Sequence, residues 1–127
     1  MHNIRVFVYG TLLAGFGNHR AYMQTAKLVD KATVPGKMYS LGGYPCVSVH
    51  GNNTVHGEVY DIDEETLKHL DRLEGHPRFY QREIVETSIG PAWIYLINNA
   101  EQQGYNNVVA SGNWREFTQE KESRRVA

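Results

Sequence analysis

A single cysteine, Cys46, stands in 127 residues, so an internal disulfide is excluded and a reducing compartment is the natural setting. Excess charge of either sign is lacking too. The 13 Lys and Arg residues against 14 Asp and Glu leave a formal net charge of -1 and a pI near 6.6, which gives no electrostatic basis for holding nucleic acid or an anionic membrane. No apolar run approaches the roughly 20 residues needed to cross a bilayer. The first strand-like segment carries Arg5 and runs straight into a glycine-containing turn, which does not read as a secretory leader. A soluble, cytoplasmic protein is expected. Repeats and low-complexity stretches are absent. Metal and nucleotide signatures are missing as well. His69 and His76 are seven apart but straddle the helix-ending Gly75, and His56-Gly57-Glu58 is a local strand triplet. Gly10 and Gly15 have the spacing of a P-loop, but Phe16-Gly17 stands where that motif requires lysine and serine or threonine. No metal and no cofactor are expected.

What is present fits one domain of short strands interrupted by one well-defined helix. Ile4 to Tyr9 alternates and is rich in β-branched and aromatic residues, so it reads as a strand broken by Gly10. A glycine-containing turn follows, then one or two helical turns around His19 to Gln24. Ala26 to Leu41 reads as one or two strands bent at Pro35-Gly36, and Tyr44 to Val49 as another. Thr54 to Tyr60 alternates again, with Gly57 marking a bulge or a close backbone approach. Phe79 to Thr87 and Ala92 to Ile97 are two further strands around a turn at Ser88-Ile89-Gly90-Pro91. Such a series predicts an α+β fold built on a small curled β-barrel with flanking helices, because curling removes exposed edges. The domain is expected over residues 1–114. Residues 115–127 are charged and carry no apolar stripe, and they read as a surface helix or a disordered tail without catalytic content.

The helix starts at Asp63, a good N-cap residue, with Glu64 and Glu65 in its first turn and Ile62 and Leu67 placed as a hydrophobic staple. Gly75 and Pro77 end it. Leu67, Leu70 and Glu74 are spaced i, i+3, i+7, so the Glu74 carboxylate continues the apolar stripe. Apolar surroundings and the negative end of the helix dipole both disfavour its charged form and raise its pKa. Such a group takes and returns a proton near neutral pH. The competing reading pairs Glu74 with an arginine such as Arg78 or Arg82, or lets it curl out to solvent at a frayed helix end. At the mouth of the first strand, Tyr9-Gly10-Thr11-Leu12 suits backbone N-H groups converging on an anion, with an ordinary strand-ending turn as the alternative. Cys46 reads as a small apolar strand residue. Tyr60, Tyr80, Trp93 and Tyr95 read as core or wall residues.

Three segments in order carry a resemblance. Val8-Tyr9-Gly10-Thr11-Leu12, then Gly57-Glu58-Val59-Tyr60 with Ile62, then Leu70-Asp71-Arg72-Leu73-Glu74-Gly75 with Pro77, Tyr80, Gln81 and Arg82 resemble the γ-glutamylcyclotransferase-like family, nearest its AIG2-like and γ-glutamylamine cyclotransferase branch. The likeness covers nearly all of residues 4–114, including the closing Ser111-Gly112-Asn113-Trp114. It implies a compact barrel with a cavity at the end of the first strand. It also implies that the loop at Tyr9, Gly10, Thr11 and Leu12 holds the glutamyl end of a small-molecule γ-glutamyl substrate, and that Glu74 is the acid/base residue. Tyr80 matches a recurrent tyrosine of the family and is carried over as substrate-binding. Asn113 stands where many relatives have aspartate. The implied reaction is cyclisation of a γ-glutamyl amine or peptide to 5-oxoproline and a free amine. The rival is a protein on the same scaffold that binds a small metabolite or peptide end without turnover. The leaving amine and the oligomeric state stay open at this level.

Overall fold

The computed structural model describes residues 3–97 and 100–126. Among these, the elements run β1 (Ile4–Val8), α1 (Gly17–Tyr22), β2 (Lys27–Pro35), β3 (Lys37–Ser40), β4 (Pro45–Ser48), β5 (Thr54–Ile62), α2 (Glu64–Glu74), β6 (Gln81–Thr87), β7 (Gly90–Leu96), a 3-10 turn (Ala100–Gln103), β8 (Val108–Val109) and α3 (Trp114–Val126). A five-stranded sheet has the order β2-β5-β1-β7-β6, and a three-stranded sheet the order β4-β3-β8. The α+β reading holds. Closure into a complete barrel does not, because no ladder joins the edge strands β2 and β6. The large sheet instead curls until those edges meet at one place, where Ser88 N-H donates to Thr33 O at 2.9 Å and Thr33 N-H donates to Ser88 Oγ at 2.9 Å. The expected advantage of closure is thus met by two hydrogen bonds instead of a full ladder.

Strand β1 occupies the middle of the large sheet, antiparallel to β5 and parallel to β7. Val6, Phe7 and Val8 are all buried, so both faces of this strand are covered. The loop leaving its C-terminal end is therefore delivered from a central strand covered on both faces. At Pro35-Gly36 the chain bends as expected and passes from β2 in the large sheet to β3 in the small one. Gly57 proves to be a site of close approach, since a Cβ there would run into Val8 O and the Phe7 ring. The bulge lies elsewhere, in β2 between Leu28 and Asp30.

Helix α2 forms as its caps dictate. The Asp63 carboxylate accepts the Thr66 N-H at 2.8 Å. At the other end Gly75 adopts a left-handed conformation, φ 68°, while its N-H donates to Arg72 O and the His76 N-H donates to Asp71 O at 2.9 Å. This Schellman pattern needs a residue without a Cβ penalty. Leu70 is fully buried, which sets the rotation of the helix and with it the direction of Glu74 one turn later. Residues 114–126, left between helix and disorder by their composition, form a helix anchored by Trp114, which is buried and stacks on Phe117 at 5.3 Å.

Candidate functional site

A cavity of about 380 Å³ opens at the C-terminal end of β1, within the roughly 300–1,000 Å³ usual for small-molecule sites. It brings together every residue that the sequence marked as a site: Tyr9, Gly10, Thr11, Leu12, Glu74 and Tyr80 all line it. Its floor is β1, and one wall is the C-terminal turn of α2.

The loop after β1 is a tight turn in which Leu13 N-H donates to Gly10 O at 3.0 Å. Thr11 and Leu12 are its central residues. Their N-H groups have no protein acceptor among the described residues. Gly10 is needed here for space and not for an unusual φ. A Cβ at this position would lie 2.7 and 2.8 Å from Cγ and Cδ of Pro45, a ring that cannot swing away. Pro45 is itself fixed from behind, since the Tyr80 hydroxyl donates to its carbonyl at 2.6 Å. Further contacts immobilise the turn: Asn18 Nδ2 donates to Thr11 Oγ1 at 2.9 Å, and His19 Nδ1 lies 2.8 Å from Leu12 O, which requires that nitrogen to carry the proton.

Glu74 is partly buried on the opposite element, and its carboxylate has no hydrogen bond or ion pair among the described residues. Burial pushes its pKa up to about 7. The expected ion-pair alternative fails for a definite reason. Arg82 is taken by Asp71, with Nε at 2.8 Å from Oδ1 and Nη2 at 3.2 Å from Oδ2, and the Tyr95 hydroxyl adds a third bond to Asp71 at 2.7 Å. Burial works against the Asp71 charge, but the bonds from Arg82 and Tyr95 outweigh it and hold this carboxyl below its ordinary range. One helix thus presents two carboxylates with opposite fates, one neutralised by a cation and one left alone in the cavity.

Three phenols surround Glu74. Tyr9 donates to Tyr95 O at 2.6 Å, while Tyr80 and Tyr95 donate to Pro45 O and Asp71. Burial raises all three pKa values, with the Glu74 charge as a further contribution, so the hydroxyls remain protonated donors. Cys46 is fully buried in β4, and burial pushes its thiol up to about 12. It is not poised as a thiolate nucleophile.

Two residues of consequence were given no role at the site from the sequence. Glu58 in β5 is buried behind the loop, where Oε1 accepts the Ala14 N-H at 3.1 Å and the Tyr60 hydroxyl at 3.0 Å. Arg115 in α3 completes the set, its Nη2 donating to Glu58 Oε2 at 3.1 Å and to Ala14 O at 2.7 Å. In the sequence Glu58 stood within the Gly57-Glu58-Val59-Tyr60 segment of the family resemblance, with no role of its own assigned to it. Asn113 accepts the Glu116 N-H at 3.0 Å as the N-cap of α3, a task asparagine and aspartate perform alike.

A family model described as γ-glutamyl cyclotransferase, AIG2-like, matches residues 6–116. The chain is 39% identical over 112 residues to the γ-glutamylcyclotransferase family protein YtfP of Escherichia coli K12, covering 87% of this chain and 96% of the relative. A segment of 71 residues is 46% identical to the γ-L-glutamyl-butirosin B γ-glutamyl cyclotransferase of Niallia circulans, covering 54% of this chain and 44% of that protein. Among solved structures, an uncharacterised protein of Pyrococcus horikoshii superposes with a TM-score of 0.80 at 25% identity, covering 95% of this chain and 98% of the other.

Proposed function

The chain belongs to the AIG2-like γ-glutamylcyclotransferase family, and from that membership we propose that it cyclises a γ-glutamyl amine or peptide, releasing 5-oxoproline and the free amine. The single observation that carries the reading is Glu74, a carboxyl unpaired among the described residues with its pKa pushed up to about 7, in the same cavity as the N-H groups of Thr11 and Leu12 that have no acceptor among those residues. The N. circulans relative, named for γ-glutamyl cyclotransfer from γ-L-glutamyl-butirosin B, lends support to the same reaction type.

In this reaction the nucleophile belongs to the substrate, which explains why one protein carboxylate suffices. Glu74 takes a proton from the substrate α-ammonium, and the freed amine attacks the γ-carbonyl carbon. The carbonyl electron pair moves onto oxygen. The loop N-H groups hold either that oxyanion or the α-carboxylate. Glu74 then passes its proton to the departing nitrogen as the C-N bond breaks, takes the second proton from the ring-forming nitrogen and delivers it to the released amine. Two protons leave the α-nitrogen and two reach the departing amine, so the exchange is balanced. Folding the glutamyl chain into its ring-closing pose supplies up to ~7–11 kcal/mol of the barrier, and the acid/base step ~10²–10⁴ in rate. Tyr9, Tyr80 and Pro45 shape the wall that enforces the pose.

The direct test incubates the protein with a panel of γ-glutamyl amines and peptides and follows 5-oxoproline by mass spectrometry. Formation from at least one member, lost in Glu74→Gln, is the expected result. Binding without 5-oxoproline from any of them overturns the proposal in favour of a metabolite-binding protein.

A further inference from the structure

We infer that Tyr44 and Phe79 form the seat of the leaving amine and select an amine with an aromatic or branched alkyl body. The inference rests on the cyclisation reading of the cavity and extends it to the part of the substrate that departs. Five large hydrophobic side chains are exposed among the described residues: Leu28, Tyr44, Phe79, Ile84 and Val108. Only Tyr44 and Phe79 line the cavity, at 40% and 47% exposure. They also touch each other, edge to face, with ring centroids 6.2 Å apart and planes at 79°.

These two rings reach the mouth from unrelated directions. Tyr44 sits in the β3–β4 turn after Gly42-Gly43, where Leu41 N-H donates to Tyr44 O at 2.9 Å. Phe79 follows α2, its N-H donating to Gly75 O at 2.8 Å, and its ring meets Tyr80 at 5.0 Å. The turn that ends α2 therefore places Glu74 and Phe79 together, the carboxyl within the cavity and the ring at its rim. Scattered exposed hydrophobics need no explanation, but a contacting pair on the rim of a concave site leaves apolar surface in water that a ligand seated in the cavity would cover. Among the described residues the cavity lining contains no lysine, arginine or histidine, so neither ring is accounted for as packing for a described cationic side chain there. A substrate whose glutamyl end is held at Thr11 and Leu12 presents its scissile bond to Glu74 and its amine substituent to this rim. An aromatic or branched alkyl substituent gains ring contact and buried area, whereas a short or strongly hydrated one gains neither.

The contact forms in the bound substrate and persists in the transition state, so its effect belongs in KM and the dissociation constant and not in kcat. The test compares γ-glutamyl ethylamide, γ-glutamyl 2-phenylethylamide and γ-glutamyl 2-ammonioethylamide, measuring binding by calorimetry and 5-oxoproline formation separately. The phenylethyl compound is expected to show a KM and dissociation constant about tenfold lower than the ethyl compound. Tyr44→Ala and Phe79→Leu bring the ratio towards one, while Tyr44→Phe retains it. Equal affinities for the three compounds, or the ammonioethyl compound binding tightest, overturn the seat. If no member yields 5-oxoproline yet the phenylethyl preference appears in binding and vanishes in Tyr44→Ala, the seat stands and the cyclisation reading falls. If all three cyclise with one KM, the seat falls and the reaction stands.

Discussion

At the scale of single residues, Glu74 carries the most weight. Its pKa is raised from 4.5 to about 7 by burial, so the charged form is disfavoured in the folded protein relative to the unfolded chain. The sign follows directly: stability is highest below the unfolded value near 4.5 and is lost as pH rises through about 7. On the proposed mechanism Glu74→Gln is expected to lower turnover by ~10²-fold or more, and the raised pKa predicts that it stabilises the protein at pH 8 relative to wild type, with a ceiling of about 3 kcal/mol from about 1.4 kcal/mol per pH unit. At pH 5 the difference shrinks. Thermal melts at the two pH values check the sign. A structural ion-pair partner would behave in the opposite way, losing stability on neutralisation. Gly10 is the second residue whose chemistry is stated by its surroundings. In Gly10→Val a Cβ enters the 2.7 Å space before Pro45 Cγ, and overpacking of this kind costs about 1–3 kcal/mol. A folded Gly10→Val protein is expected to lose most of its activity, and normal steady-state kinetics would remove the loop from the glutamyl site.

At the scale of elements, the C-terminal helix has a task that its composition conceals. Through Arg115 it supplies the cation for buried Glu58 and a donor for Ala14 O, and both partners support the loop that begins at Tyr9. Removing Arg115 leaves Glu58 buried beside two weaker donors and frees the Ala14 carbonyl. Arg115→Ala is predicted to cost about 1–3 kcal/mol of stability and to lower kcat/KM by up to ~10²-fold through displacement of the loop. Hydrogen exchange at Ala14 reads the local effect, because its amide donates to Glu58 and is expected to exchange faster in the variant. Unchanged exchange and kinetics would make α3 a mere appendage. The equivalent tie for α2 is the Asp71 cluster, which binds that helix to β6 and β7 through Arg82 and Tyr95 and so holds Glu74 at its distance from β1.

At the scale of the whole molecule, the cavity lies where the two sheets and α2 converge. The proposed cyclisation makes a demand on the substrate. Turnover by that reaction is expected to require a free α-amine and an amide at the γ position, since only that arrangement closes a five-membered lactam. An N-acetylated γ-glutamyl amine lacks the basic nucleophile, and an α-glutamyl amide has its scissile carbonyl in the wrong place for the same attack. Both are expected to bind and remain intact. Release of free glutamate, or cleavage of the acetylated compound at a rate near that of its parent, would make the reaction a hydrolysis with Glu74 activating water. Among the described residues no helix is long and apolar enough to cross a membrane, in keeping with the absence of a long apolar run in the sequence.

The α2 helix, its caps and the inward placement of Glu74 were legible in the sequence because they depend on neighbours within four residues: Asp63 caps Thr66, Gly75 closes the last turn, and Leu67, Leu70 and Glu74 share one stripe. The β1 strand and its glycine turn were legible for the same reason. Local rules could not place β6, whose expected start at Phe79 gives way to Gln81 because Phe79 N-H and Tyr80 N-H are held by Gly75 O and Glu74 O. They also missed β8, two residues that become a strand only by pairing with Met38 and Tyr39. Whether Glu74 would find an arginine was likewise beyond the sequence, since Arg78, Arg82 and Asp71 were all within plausible reach. The fold decided it by setting Arg82 on β6 beside Asp71 and Trp93, 4.4 Å above the indole ring, and away from the cavity. Spacing along a chain determines which residues share a face, whereas the identity of the partner across 11 or 57 positions is settled only when strands and helices pack and each buried charge must find the counter-ion that packing brings to it.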